Sequence, residues 1–251
     1  MVERFFTRNS NFQFPNQSDP IILLSGPPSS GKTSLLFQFA LNSAVESNGA
    51  VVILCKRRRL ETNPPFLSQG VDPSSEIFQR IQLKYVDDDE GIKNYFAAFH
   101  LHDTFPVSVI IDDFADFFDE RNCQLKYNNP RGRDLAMIRV LSLCRNAIDH
   151  ANKRGHCELL LSDTHKGDSP RLLYIYKKWA SCIYTIKVMV LFVTLLLKGK
   201  RRDLKSLAKF TPLGRLLVLE EKQNQSPTTS VSTIHQTLYN VKYMLLITST
   251  Y

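Results

Sequence analysis

One stretch of the chain has the residue types and the spacing needed to bind phosphate groups. It runs from Gly26 to Thr33 as Gly-Pro-Pro-Ser-Ser-Gly-Lys-Thr and fits G-x-x-x-x-G-K-[ST] at every fixed position. Backbone N–H groups of such a loop point at phosphate oxygens, Lys32 places a charge between the β- and γ-phosphates, and Thr33 can ligate Mg²⁺. The predicted nucleotide-binding residues are those of the loop and the helical turn after it: Gly26, Ser29, Ser30, Gly31, Lys32, Thr33 and Ser34.

A second chemical feature is an acid at the end of an apolar stretch. Residues 107–112 read Val-Ser-Val-Ile-Ile-Asp, the form of a buried strand that carries a carboxylate to the water shell of Mg²⁺. Asp112 is therefore predicted to act with Thr33 at the metal. Its neighbour Asp113 is either a base that orients water or a solvated acid of the following loop. Lys32 and Asp113 are the candidate catalytic residues.

A third polar group, Asp163-Thr164-His165, follows another apolar run. It lies on the edge where open α/β sheets place ligands, so it is either a sensor of the γ-phosphate or an ordinary strand-to-loop cap.

Two basic segments are candidates for contact with a polyanion. Residues 187–210 carry a net charge of +6, out of +8 for the whole chain, and such a concentrated stripe suits nucleic acid. The other segment follows the second predicted strand and either binds phosphate or DNA or forms a solvated face. The candidate DNA contacts are Lys56, Arg57, Arg58, Arg59, Lys200, Arg201 and Arg202.

The elements that must position these residues alternate between strand and helix. A continuous apolar run at 20–25, the loop, a helix over 32–47 and a second apolar run at 50–55 have the sequence form of a right-handed βαβ unit. Further strands are predicted at 81–86, 107–112 and 157–162, and helices at 90–102 and 133–153. The segments 56–75 and 116–132 are predicted to be an exposed connection and a polar excursion.

Beyond residue 174 the pattern changes to short strands without helices between them. These strands, predicted at 182–186, 188–197 and 216–219, favour antiparallel additions to the edge of the sheet. The predicted fold is therefore α/β, with a mostly parallel sheet flanked by helices and antiparallel strands at its C-terminal edge. Residues 1–19 are expected to be a flexible leader, 20–221 one domain, and 222–251 a tail of uncertain structure.

Composition excludes several classes of protein. With 43% apolar and 22% charged residues in a chain of 251, a disordered, collagen-like or coiled-coil protein is not expected. The five cysteines include no C-x-x-C pair, which argues for a reducing compartment and against a disulfide framework or a zinc site. The longest apolar run, 188–197, is too short to cross a bilayer as a helix, so no membrane partner is expected.

The chain resembles the RecA-type recombinase core in the order and spacing of three features. These are the loop with Ser-Ser-Gly-Lys-Thr, the helix with Leu-Leu-Phe-Gln-Phe and the strand that ends at Asp112. More narrowly, the chain looks like the small recombinase-paralogue ATPases that partner SWIM-type zinc-finger proteins in Shu-like complexes. The residues that carry this likeness are Val-Val-Ile-Leu-Cys-Lys-Arg-Arg-Arg-Leu, then Asp72-Pro73, then Ile-Gln-Leu-Lys-Tyr. This likeness spans about residues 20–186.

The resemblance implies a RecA-like P-loop NTPase core that binds ATP and Mg²⁺, and a weak or DNA-stimulated ATPase activity. It also implies single-stranded DNA and a SWIM-type zinc-finger protein as partners, support of recombinase filaments in homologous recombination repair, and a location in the nucleus.

Two departures from the family bear on hydrolysis. RecA-type enzymes usually carry a water-activating glutamate just after the second strand, where this chain has Lys56 to Arg59, with Glu61 as the nearest acid. The sensor glutamine after the fifth strand is also absent, and hydrolysis is accordingly expected to be slow or dispensable. The alternative is a RecA-like scaffold with a structural nucleotide site, docking a zinc-finger partner or sitting in a ring such as the Elongator accessory assembly. A small-molecule kinase is less favoured, because no lid with paired arginines is evident.

Overall fold

The strands among the described residues form one ten-stranded sheet, and the apolar runs of the sequence supply its central strands. A computed structural model describes residues 2–5, 20–67, 72, 74–165, 172–191, 206–210, 218–221, 231–238 and 241–250. Six strands make the parallel part of the sheet: β1 (Ile21–Gly26), β2 (Val51–Cys55), β3 (Ile81–Tyr85), β4 (Ser108–Ile111), β5 (Glu158–Thr164) and β6 (Cys182–Leu191). Their order is β3-β2-β4-β5-β1-β6.

Helices flank this parallel sheet, as the alternation of elements predicts. They are α1 (Lys32–Ser47), α2 (Arg57–Thr62), α3 (Asp89–Ala97), α4 (Glu120–Tyr127), α5 (Gly132–Ala151) and α6 (Leu173–Trp179). Successive side chains of β1 point to opposite faces of the sheet. Ile21 and Leu23 pack in the apolar cluster that includes α3 and α5, whereas Ile22 and Leu24 pack in the cluster that includes α1. The predicted α/β class is thus confirmed, and the arrangement is consistent with a RecA-like core.

Four further strands extend the sheet beyond β6. They are β7 (Ser206–Phe210), β8 (Val218–Glu221), β9 (Val231–Leu238) and β10 (Val241–Thr250). β10 runs antiparallel to both β6 and β9, and β7 antiparallel to β8, whereas β7 and β9 are parallel. The predicted antiparallel extension is therefore confirmed, with one parallel pair in it. The division into leader, domain and tail stays a prediction.

Some local predictions were wrong. α2 lies in the expected connection 56–75, and α4 lies in the expected polar excursion 116–132, where Asp119 caps it by accepting a hydrogen bond from Asn122 N at 2.8 Å. Both helices bury too few residues to show an apolar period: none in α2 and only Cys123 in α4. α6 follows residue 172, where only strands were expected.

The direction of β6 also differs from the prediction. It is one strand from Cys182 to Leu191 and it pairs parallel to β1, with Ile22 opposite Cys182. The remainder of the predicted strand 188–197, from residue 192 on, lies outside the described residues. Among the described residues, no helix is both long enough and apolar enough to cross a membrane.

Within the stretch expected to be a leader, Val2–Phe5 form a 3-10 helix that packs against α1. Phe5 is fully buried, with its ring centroid 5.1 Å from that of Phe39. Arg4 pairs with Glu46 at 2.7 Å and with the buried carboxylate of Glu158 at the start of β5. The ion pair and the aromatic contact hold this short helix on the domain.

The effect of Glu158→Gln on the free energy of unfolding is expected to be more favourable at about pH 7 than at about pH 4. Burial raises the pKa of Glu158, although Arg4 and His156 oppose that shift. A carboxyl group whose pKa is raised in the folded state contributes stability at low pH and loses it as pH rises from the unfolded pKa through the folded one. The neutral amide of the variant does not ionise, so the variant does not lose stability in this way as pH rises. Urea unfolding of both proteins at the two pH values measures the difference in unfolding free energy.

The control for this prediction is Glu46→Gln, which changes the more exposed carboxylate paired with Arg4. A Glu158→Gln effect that is the same at both pH values would contradict the assignment of a buried, costly charge.

Candidate functional site

The predicted phosphate loop connects β1 to α1 and is shaped by two left-handed backbone positions. Gly31, directly before α1, has φ 80°, and Ser29 has φ 58°. Gly26, at the end of β1, is needed for a different reason. A Cβ there would lie 2.7 Å from Ser30 Oγ and 3.1 Å from Ile186 Cβ, so a larger residue would push the loop away from β6.

Lys32 is enclosed by the backbone of its own loop. The side chain is nearly fully buried, and Nζ donates to the carbonyl oxygens of Gly26 at 3.1 Å and of Pro27 at 2.9 Å. Burial lowers the pKa of Lys32, while the nearby carboxylates of Asp113 and Asp112 oppose that shift. The ammonium group is thus held within the loop, where phosphate oxygens could replace the carbonyls as acceptors.

The two predicted metal residues are in direct contact. Thr33 Oγ1 donates to Asp112 Oδ2 at 3.0 Å, across the gap between α1 and the end of β4. Asp112 is nearly fully buried, and burial raises its pKa, although Arg59 and the hydroxyl donors Ser162 and Thr33 oppose the shift. These contacts bring together Lys32, Thr33 and Asp112 as the sequence predicts.

Ser162 is a site residue whose role the sequence did not reveal. β5 lies between β1 and β4, and from there Ser162 Oγ donates to Asp112 Oδ1 at 2.9 Å and accepts from Asp113 N at 2.7 Å. Ser162 therefore fixes both the carboxylate and the backbone that follows it. The only sequence signal was a hydroxyl at the end of an apolar strand.

Ser162→Ala is expected to lower the free energy of unfolding by about 1–3 kcal/mol, because it leaves a buried carboxylate oxygen and a buried N–H group without their partner. Urea unfolding measures the loss. Ser108→Ala is the matched control: Ser108 is also buried, on β4, but its hydroxyl has no hydrogen-bond partner among the described residues, so its removal should be nearly neutral. Equal losses in the two variants would contradict the role of Ser162.

The donor set suits Mg²⁺ in the presence of phosphate. A hydroxyl and a carboxylate are hard oxygen ligands, which Mg²⁺ takes together with waters and substrate phosphates. In the part of the chain that the structure describes, no group of three or more His, Cys, Asp or Glu residues could hold a metal ion. Thr33 and Asp112 offer two oxygen ligands for a magnesium ion whose other ligands would be waters and phosphate oxygens.

Asp113 is buried and paired, so it is not the solvated loop acid that was one of its two interpretations. It has a left-handed φ of 56°, accepts from Thr164 Oγ1 at 2.8 Å and forms an ion pair with Arg59. Its candidacy as a base stays a prediction.

The group 163–165 is tied to the phosphate loop. Thr164 lies opposite Gly26 in the parallel register of β5 and β1, and His165 N donates to Gly26 O at 3.1 Å. His165 Nδ1 and Ser25 Oγ form a buried hydrogen-bonded pair at 2.7 Å. These contacts fix the end of β5 on the loop, and a γ-phosphate sensor here stays a prediction.

The basic segment 56–59 makes contacts within the chain. Lys56 Nζ donates to Asp116 O at 2.7 Å, and Arg57 lies over the ring of Tyr85, 4.5 Å from its centroid. Arg59 turns toward the acids of the site, and Arg58 is exposed. DNA contact by these residues stays a prediction, and Lys200, Arg201 and Arg202 lie outside the described residues.

Ser34, the last predicted nucleotide-binding residue, lies in the first turn of α1. Its Oγ accepts a hydrogen bond from Phe66 N at 2.9 Å, so it holds the segment after α2 close to the loop.

Comparison with known proteins shows a partial similarity to an ATPase. No family model matches the chain. A stretch of 66 residues is 42% identical to the human protein ATPase SWSAP1, covering 26% of this chain and 28% of that protein. The match therefore spans well under two thirds of the relative. The similarity to an ATPase agrees with nucleotide use at the loop.

Proposed function

We propose that this protein is a RecA-like ATPase that binds ATP with Mg²⁺ at the phosphate loop and hydrolyses it slowly. The observation that carries the proposal is the contact of Thr33 with Asp112 beside the enclosed Lys32. Lys32, Gly31 and the loop backbone would hold the phosphates, and Thr33 and Asp112 would hold the metal. Bound Mg²⁺ would neutralise phosphate charge. The partial similarity to a human ATPase supports the same activity.

Slow turnover follows from the residues around the acids. At the start of α2, where the family carries a water-activating glutamate, Arg59 is ion-paired with Asp113. The guanidinium of Arg59 and the Thr164 hydroxyl both engage Asp113 Oδ2, so in this arrangement that oxygen is not available to accept a proton from water.

The finer role that we propose is support of homologous recombination in the nucleus. The protein would bind single-stranded DNA through exposed arginines of α2, act with a SWIM-type zinc-finger partner and assist recombinase filaments. The resemblance to recombinase paralogues and the partial match to ATPase SWSAP1 support this proposal. Contacts of this kind are made to the DNA backbone, so they would be independent of sequence and sensitive to salt.

The test measures ATP binding and turnover by the full chain, with and without single-stranded DNA, at two salt concentrations. Tight Mg²⁺-dependent ATP binding with slow turnover is expected, together with DNA binding that weakens as salt rises. Absence of ATP binding would overturn the nucleotide proposal. DNA binding that does not change with salt, or is absent, would overturn the recombination role while leaving ATP binding intact.

One observation favours a second candidate, a RecA-like scaffold. The three charged groups of the site already have partners within the chain: Lys32 donates to loop carbonyls, and Asp112 and Asp113 pair with hydroxyls and Arg59. Among the described residues, Asp113 Oδ1 and Ser30 Oγ have no hydrogen-bond partner. A scaffold would assemble with its protein partner equally well when Lys32 is replaced by alanine. If assembly depends on bound ATP, the same variant would assemble less.

A further inference from the structure

Arg59 brings a positive charge into the acidic end of the site. α2 begins directly after β2, and Asp112 N donates to Leu54 O at 3.0 Å, which ties the end of β4 to β2. The first turns of α2 therefore lie beside Asp112. The strand order therefore directs Arg59, one of the four cations of segment 56–59, toward the site.

Three carboxylates face the guanidinium of Arg59. Nε lies 3.7 Å from Asp112 Oδ2, and Nη1 pairs with Asp113 and lies 3.3 Å from Asp116 Oδ2. Asp112 and Asp113 are nearly fully buried, so removal of Arg59 would take away the cation that is paired with two adjacent buried carboxylates. Asp112 Oδ2 is also the atom that accepts the hydrogen bond from Thr33. The oxygen best placed to meet a metal beside Thr33 thus already has a cation near it.

We propose that Arg59 is an internal cation that competes with Mg²⁺ for Asp112 and so sets the Mg²⁺ concentration that nucleotide binding requires. This inference rests on the proposed function, because it concerns the same site. Two positive charges beside one carboxylate repel each other, so Arg59 must withdraw toward Asp113 and Asp116 when the metal is bound. The side chain of Arg59 is 31% exposed, which leaves it room for this shift.

The test titrates Mg²⁺ at a fixed concentration of a fluorescent ATP analogue and records binding by anisotropy, without measuring turnover. In Arg59→Gln the half-saturating Mg²⁺ concentration is expected to fall about tenfold, within the usual range of coupling between two sites. Arg121→Gln, which removes an exposed arginine of α4, is the charge-matched control and should leave the midpoint unchanged.

Two results would overturn the proposal while wild-type binding is intact. The first is an Arg59→Gln midpoint equal to or higher than that of the wild type. The second is weaker nucleotide binding at every Mg²⁺ concentration without a lower midpoint, which is what a purely structural clamp would give. If the wild type itself binds no nucleotide at saturating Mg²⁺, the proposed function fails and this inference fails with it.

Urea unfolding first establishes whether Arg59→Gln folds. If it does not, the comparison moves to Asp113→Asn against Arg59→Gln/Asp113→Asn, because the double variant removes the ion pair as a unit and keeps Asp112 beside Thr33. The double variant is expected to need about tenfold less Mg²⁺ than Asp113→Asn. Equal midpoints in this pair would overturn the proposal.

Discussion

Lys32→Ala is expected to weaken ATP binding by about 10–100-fold, which is the loss of about 1.5–3 kcal/mol for hydrogen bonds to a charged group. The loop encloses the ammonium of Lys32, whose hydrogen-bond acceptors among the described residues are backbone carbonyls. In the variant no cation of the loop remains to meet the phosphates. Equilibrium titration with a fluorescent ATP analogue at saturating Mg²⁺ measures the change.

The fold of this variant should be intact. Gly26 O keeps the hydrogen bond from His165 N when Lys32 is removed, and the variant no longer buries an ammonium group whose pKa burial lowers. Lys153→Ala, at an exposed position after α5, is the control for charge and should bind ATP as the wild type does. Wild-type affinity in Lys32→Ala would remove the basis of the nucleotide proposal.

Gly132→Ala is expected to cost about 3 kcal/mol of unfolding free energy, the upper part of the range for overpacking. Gly132 is the first residue of α5, and a Cβ there would lie 2.2 Å from Cys123 O, 2.6 Å from Cys123 C and 2.8 Å from Gln124 Cα. All three atoms are backbone atoms of α4, so no side-chain rotation relieves the clash. α4 must move away from α5, and urea unfolding measures the cost.

Gly155→Ala provides the matched control, because a Cβ at Gly155 would meet no atom of the described residues within 4 Å. It should leave stability almost unchanged. Equal free energies of unfolding in the two alanine variants would contradict the close approach of α4 to α5.

The beginning of the fold could be predicted because its signals are local. The apolar runs predicted at 20–25 and 50–55 form β1 and β2, which are buried along their whole length, and the helix predicted over 32–47 is α1. β6 could not be predicted in the same way. Its direction depends on which strand it joins, and β1, its parallel neighbour, is more than 150 residues earlier in the chain.

The residues of the candidate site likewise fall into those that local sequence patterns predict and those that only the fold brings together. The loop pattern and the acid after an apolar strand identified Lys32, Thr33 and Asp112, because each signal lies in one short segment. The contacts of Ser162 and Arg59 depend on the order of the strands, which puts β5 between β1 and β4 and puts β2 beside β4. A basic run therefore suggested a nucleic-acid surface, although one of its arginines points into the site.

The same strand order fixes when the site can form during protein synthesis. β1 has no hydrogen bonds to β2, and its first neighbour in the chain is β5, where Ile21 pairs with Leu159. At about 5–20 residues per second, a ribosome needs roughly 7–30 s to make the residues between these partners. Throughout that interval the strand before the phosphate loop is an unpaired apolar segment, so a nascent chain exposes it to chaperones before any nucleotide can bind.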